Sequence, residues 1–182
     1  MRDRNQKETR QQMYTCRFAR TIEEPWTTLE PISLGAVPSG HGTPERYCLV
    51  EYQECQVMRF DVYGQDMAFA DAQIWKMWVV IGFADAVHFV TFDTKQRHSS
   101  PLRGYFGHLY TTEEFLFVAS ASDLLCFDTE VRLQWRAQDL GIDGVVIKSV
   151  ENDMVYGEGE WDPPSGWRPF TVSLRSGRII AE

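Results

Sequence analysis

Three carboxylates and two indoles crowd one stretch of this 182-residue chain: Glu158-Gly159-Glu160-Trp161-Asp162, then Pro163-Pro164-Ser165-Gly166, then Trp167-Arg168. In an extended strand alternate side chains leave on the same face. Glu158, Glu160 and Asp162 would then line one side. Such a face can ligate a hard cation, recognise a basic partner, or simply be solvated. Calcium loops space their Asp and Asn ligands more tightly, so no metal is expected here. Pro163 and Pro164 exclude a central strand at that point, which makes the segment a long connection within a hairpin. It either folds over the sheet as a plug or stands out as a recognition loop. Trp and Arg are the residues that most often anchor interfaces. Glu158, Glu160, Trp161, Asp162, Trp167 and Arg168 are therefore the candidate partner-binding residues.

Other reactive side chains carry weaker signals. The histidines, His41, His88, His98 and His108, show neither HxH nor HExxH spacing, so zinc is not indicated. His98 lies beside Ser99 and Ser100 in KQRHSS, a pairing that raises serine nucleophile chemistry. There is no GxSxG elbow to present such a serine, and neighbours in a loop rarely meet as a triad does. Neither GxGxxG nor GxxxxGK[ST] occurs, so no phosphate cradle is expected. Of the four cysteines, Cys48 and Cys55 fall on two runs that could pair as a hairpin, which makes a disulfide geometrically possible. No CxxC spacing is present, so neither a zinc site nor a thioredoxin-like motif is indicated, and the preferred reading is four reduced, partly buried thiols in a cytoplasmic protein. No cofactor is expected.

Charge narrows the partners. The net charge is −8 and the pI about 5.0, which opposes binding to nucleic acid and to anionic membranes. It permits a basic protein partner. The charged N-terminus MRDRNQKETRQQ does not read as a secretory signal, and no run reaches the ~20 apolar residues of a membrane span. A cytoplasmic location is expected.

The elements that must position these residues are read mainly as strands. The 13% aromatic content favours sheet over helix. Residues 1–13 are polar and read as a flexible N-terminus, with 14–182 forming a single all-β domain. Tyr14 to Phe18 is a strand candidate. Residues 19–45 are rich in Pro and Gly and read as an irregular wrap pinned by Trp26, Leu29, Ile32 and Leu34, long enough to hide a strand. From Tyr47 onward β-type runs recur: YCLVEYQE and QVMRFDVYGQ, then DMAFADAQIWK, which is ambiguous between strand and short helix. Lys95–Pro101 reads as a polar loop, and Gln138 to Asp143 as a turn.

WVVIGFADAVHFVTFDT (78–94) is echoed by FLFVASASDLLCFDT (115–129), and a fragmentary third copy begins at Met154 and resumes at Phe170. The two Phe-Asp-Thr corners stand 35 residues apart. A period of roughly 35–45 residues with four short strands per unit is a propeller-blade signature. One unit would be GYFGHLY, FLFVASAS, DLLCFDT and VRLQWRA; the next, GVVIKSV, MVYGEGEW, RPFTVSL and RII, with its first hairpin turning at Glu151-Asn152-Asp153.

The run LFVASASDLLCFDTEVRLQW resembles a blade of the quinoprotein-type (PQQ-like) propeller repeats, with Phe127-Asp128-Thr129 and Trp135 in the matching order. The Gly that follows Thr in those turns is absent after Thr94 and Thr129 and appears only as Gly177. A full propeller of that kind needs more blades than this length supplies, and no cofactor-binding residue transfers with the resemblance.

The expected fold is mainly β: an antiparallel meander of repeated hairpins in residues 46–182, propeller-like and small or incomplete, with a β-sandwich as the alternative. The expected function is a non-catalytic binding protein whose acidic, Trp-bearing loop engages a protein partner, by analogy of charge alone with acidic immunity-type proteins. The alternative is a hydrolase or small-ligand-binding enzyme with its site at the strand ends, where Asp143, Glu158, Glu160 and His108 would converge.

Overall fold

A computed structural model describes residues 14–40, 42–65, 69–162 and 166–181. Residues 1–13, His41, 66–68, 163–165 and Glu182 lie outside them. The described chain is nearly all β, with 58% of residues in strands and no α-helix. It forms four separate four-stranded sheets and no closed barrel. Repeated antiparallel sheets of this kind are the architecture read from the sequence, and both the propeller-like and the sandwich form of that reading are built from them. No helix among the described residues is long and apolar enough to cross a membrane. The chain groups into two compact units, residues 1–84 with 88–99 and residues 85–87 with 100–182.

The first sheet contains β1 (Tyr14–Ala19), β2 (Ile32–Gly35), β3 (Arg46–Tyr52) and β4 (Cys55–Tyr63), in the order β1-β3-β4-β2. The expected wrap does hide a strand: β2 runs parallel to β4, with Ile32 opposite Phe60. A single 3-10 turn, Trp26–Thr28, precedes it. Trp26, Ile32 and Leu34 are buried as pins. The Trp26 carbonyl accepts from Arg59 Nη1 at 3.5 Å, and that guanidinium is held by Asp61 through two bonds of 2.7 and 2.9 Å. Gly35 ends β2 at φ +84°, where a Cβ would lie 2.0 Å from the Tyr63 carbonyl oxygen.

The second sheet orders β5 (Ala70–Trp75), β6 (Trp78–Phe83), β7 (Ala86–Thr91) and β8 (Arg97–Pro101) consecutively. The ambiguous DMAFADAQIWK segment is strand from Ala70. Lys95–Pro101, read as a loop, contains the outer strand β8, a correction with a simple cause. Its residues are mostly exposed, so its strand state comes from pairing rather than from any apolar pattern. The inner strands β6 and β7 are buried almost throughout, which explains why they read as an unbroken apolar run.

The third sheet is β9 (Phe106–Thr111), β10 (Leu116–Ser120), β11 (Leu124–Phe127) and β12 (Leu133–Ala137). The fourth is β13 (Val145–Glu151), β14 (Met154–Glu160), β15 (Trp167–Ser173) and β16 (Ile179–Ala181). Both are simple meanders in the order read from the sequence. The echoed segments are thus the two inner strands of successive sheets: β6–β7, β10–β11 and β14–β15. The β13–β14 turn carries Asn152 and Asp153, both at positive φ, as a type I′ hairpin turn prefers. Asp128 closes the corner after β11: its Oδ1 accepts from the Glu130 and Arg132 amides at 2.9 Å each.

One apolar core joins these last two sheets, built from Phe117, Leu124, Cys126, Trp135, Leu140, Val145, Ile147, Val155, Phe170 and Val172 among others. The Trp135 indole N–H donates to the Leu174 carbonyl at 2.7 Å. Its ring lies where a Cβ on Gly177 would come within 2.5 Å. Gly177, the one turn glycine of the repeat, is therefore needed both for its φ of +66° and for the approach of Trp135.

Candidate functional site

The end of the β14–β15 hairpin is positioned by the glycines of GEGE. Gly157 and Gly159 face the core side of β14. A Cβ on Gly157 would meet the Phe170 ring at 2.3 Å, and one on Gly159 would meet the Leu140 carbonyl oxygen at 1.6 Å. The bare strand lets the segment between β12 and β13 lie directly on it. That segment is fixed by main-chain bonds from the Ile142 and Asp143 amides to the Glu160 carbonyl, at 2.8 and 3.3 Å, and from the Glu160 amide to the Gly144 carbonyl at 2.9 Å. Beyond Glu160 the chain turns, with the Trp161 amide donating to the Gly166 carbonyl and the Gly166 amide to the Asp162 carbonyl.

The ladder sorts the six candidate residues. Glu158 is opposite Pro169, Gly159 opposite Arg168 and Glu160 opposite Trp167. Because side chains alternate, Glu158, Glu160 and Trp167 share one face, while Arg168 leaves on the other with Phe170. Trp161 joins Arg168: the guanidinium carbon lies 5.8 Å from the indole centroid, within cation–π range. Asp162 is exposed and lies past the end of β14, so the alternation that aligns Glu158 with Glu160 stops short of it.

On the first face Trp167 is 40% exposed and Glu160 only 8%. A Cβ on Gly144 would sit 3.1 Å from the Trp167 ring and 3.8 Å from Glu160 Oε2, so both side chains rest against that glycine. Glu158 pairs with Lys148 Nζ at 3.0 Å. The Tyr105 hydroxyl donates to Asp143, reaching both its main-chain carbonyl and, at 2.9 Å, Oδ1. Burial first, then that hydrogen bond and the negative charges of Asp143 and Glu160, push the Tyr105 phenol up to about 12.

On the second face Trp161 and Arg168 line a cavity of about 330 Å³ with Asp139, Leu140, Pro169 and Phe170. Leu140 and Phe170 are buried and form an apolar floor. The Asp139 carboxylate is engaged by Arg103 Nη1 at 2.8 Å. Asp139 and Leu140 read only as a turn in the sequence. The alternating glycines of β14 were the available signal that another segment must lie on that strand.

The remaining candidates do not converge. His108 Nε2 accepts from the Ile147 amide at 3.3 Å, a bond between strands of the shared core. His98 stacks on Phe89 at 5.9 Å. The serine–histidine pair that does form is His88 Nδ1 with Ser99 Oγ, 2.8 Å apart. His88 is 4% exposed, so the pair bridges β7 and β8 inside the sheet. Among the described residues no group of three His, Cys, Asp or Glu side chains is arranged to hold a metal ion. All four cysteines are free. Cys48 faces Phe60 while Cys55 faces Tyr52, which separates them by about 13 Å along the strand.

No family model matches the chain, and no curated protein matches it at a significant level. Among solved structures it is similar to KlHsv2 with loop 6CD replaced by a Gly-Ser linker, at a TM-score of 0.47 and 12% identity, over 74% of this chain and 44% of that chain. The chain thus spans under half of that protein's length.

Proposed function

We propose that this chain is a non-catalytic binding protein that engages a protein partner through the end of its β14–β15 hairpin. One observation carries the reading: Trp167 holds its indole 40% exposed, on the same face as Glu158 and Glu160. A large apolar ring kept in water beside carboxylates is the composition of an interface anchor with a charged rim. The partner is basic, since the chain carries a net charge of −8 and like charge would oppose approach. By charge alone this is the manner of an acidic immunity-type protein meeting a basic target. Free cysteines accord with a reducing cytoplasmic setting.

Affinity capture with the wild type and with a Trp167→Ala variant tests the reading. The captured protein is purified and titrated against both. Since an indole anchor contributes about 2 kcal/mol or more, its loss weakens binding roughly 30-fold; equal affinity sinks the proposal. A second reading, small-ligand binding at the strand ends, is favoured by the cavity beside Trp161.

A further inference from the structure

We infer that the cavity between Trp161 and Arg168 is a binding site for a carboxylate carried on a small apolar body. The inference deepens the small-ligand reading and is independent of the partner reading, because Arg168 and Trp167 leave β15 on opposite faces.

Four observations carry it. First, Arg168 is exposed, and among the described residues no carboxylate pairs with it. The acidic residue among those lining the cavity, Asp139, is already bonded to Arg103. Second, the guanidinium carbon lies 5.8 Å from the Trp161 ring centroid, within cation–π range. The guanidinium fork is planar and matches a carboxylate with two parallel hydrogen bonds. Third, Leu140 and Phe170 floor the cavity and are 2% and 4% exposed, so the interior next to this charge is apolar. Fourth, the volume, about 330 Å³, lies at the lower end of ligand sites. It admits a single ring or short aliphatic chain and excludes a folded segment.

The cavity floor is held by main-chain contacts. Leu140 is buried and its amide donates to the Ser122 carbonyl at 2.9 Å. Its carbonyl lies against Gly159 at a distance that no side chain there would allow. A preformed floor keeps the ordering cost of binding low.

The test uses phenylacetate, phenylacetamide and benzylphosphonate as probes on the full chain. Binding is followed on the indole ¹H–¹⁵N resonance of Trp161, assigned with Trp161→Phe. Phenylacetate shifts that resonance and phenylacetamide binds about 10- to 100-fold more weakly, the difference expected of losing a charge-assisted pair. Arg168→Gln loses the preference for the acid, while its thermal unfolding midpoint falls by no more than the loss of one exposed cation–π contact accounts for. If phenylacetamide binds as well as phenylacetate, or Arg168→Gln keeps the preference, the carboxylate assignment falls and the small-ligand reading stands. Tighter binding of benzylphosphonate than of phenylacetate overturns the carboxylate class in favour of a phosphate-like anion. If none of the probes moves the Trp161 resonance, both fall.

Discussion

Trp167 stands directly opposite Glu160 in the β14–β15 ladder, and the two lean on the same bare backbone at Gly144. The pairing turns a buried carboxylate and a half-exposed indole into one surface. A side chain at Gly144 would crowd the Trp167 ring tip, 3.1 Å from its Cβ position.

The glycines that build this hairpin end are the most sensitive positions near it. Gly159→Ala drives a methyl into the Leu140 carbonyl, which lies 1.6 Å from the Cβ position. The 139–141 segment must lift, and the cavity floor goes with it. The expected loss is about 1–3 kcal/mol, the range for forcing extra volume into a packed site. Chemical denaturation measures it, and an unchanged midpoint would show that this segment is not seated as described.

Alkaline pH acts through Tyr105. Its phenol titrates at about 12 in the folded chain, above the ordinary value of ~10. The folded state therefore holds its proton more tightly than the unfolded state. The stabilisation is fully present below about pH 10 and is lost as pH rises toward 12. Tyr105→Phe removes that part of the decline, and difference absorbance at the phenolate band loses its latest-titrating component.

The turns where quinoprotein-type repeats carry Gly offer a gain. Lys95 follows Thr94, is exposed, and sits at φ +53°. Most side chains are strained there and glycine is not. Lys95→Gly is expected to raise stability by about 0.5–1 kcal/mol, the left-handed strain relieved less the added chain entropy. A fall in stability would show that Lys95 makes a compensating contact.

Thiol chemistry checks the cores. Burial, then the charge of Asp71, pushes Cys16 up to about 11. Burial, then Asp128, pushes Cys126 up to about 12, and burial, then Cys16, raises Cys48 well above the usual thiol value. Only Cys55 is exposed. One thiol is expected to react rapidly with a disulfide reagent at neutral pH, and all four after denaturation. Rapid reaction of a second thiol in the native protein would contradict the packing around β1, β3 or β11.

How much was legible follows burial. β6, β7, β10 and β11 are covered on both faces, so their sequences advertise them. β8 has almost no buried residue and β2 is a strand only through its parallel pairing with β4. Both owe their state to partners remote in sequence, which no local pattern encodes. The Glu158–Arg168 stretch stood out by composition. Its division into two faces depends on which β15 residue meets which β14 residue, and that register cannot be read from residue spacing. Asp139 and Leu140 become cavity walls only because two glycines let their segment lie on β14.

Site-directed photo-crosslinking reads directly whether Trp167 is an interface anchor. A photoreactive residue is placed at Trp167 and, as a control, at Ile180, which is 54% exposed on β16. One basic protein is expected to crosslink from position 167 and not from 180, with the capture lost in high salt. The same crosslinks from both positions, or none from 167, would contradict it.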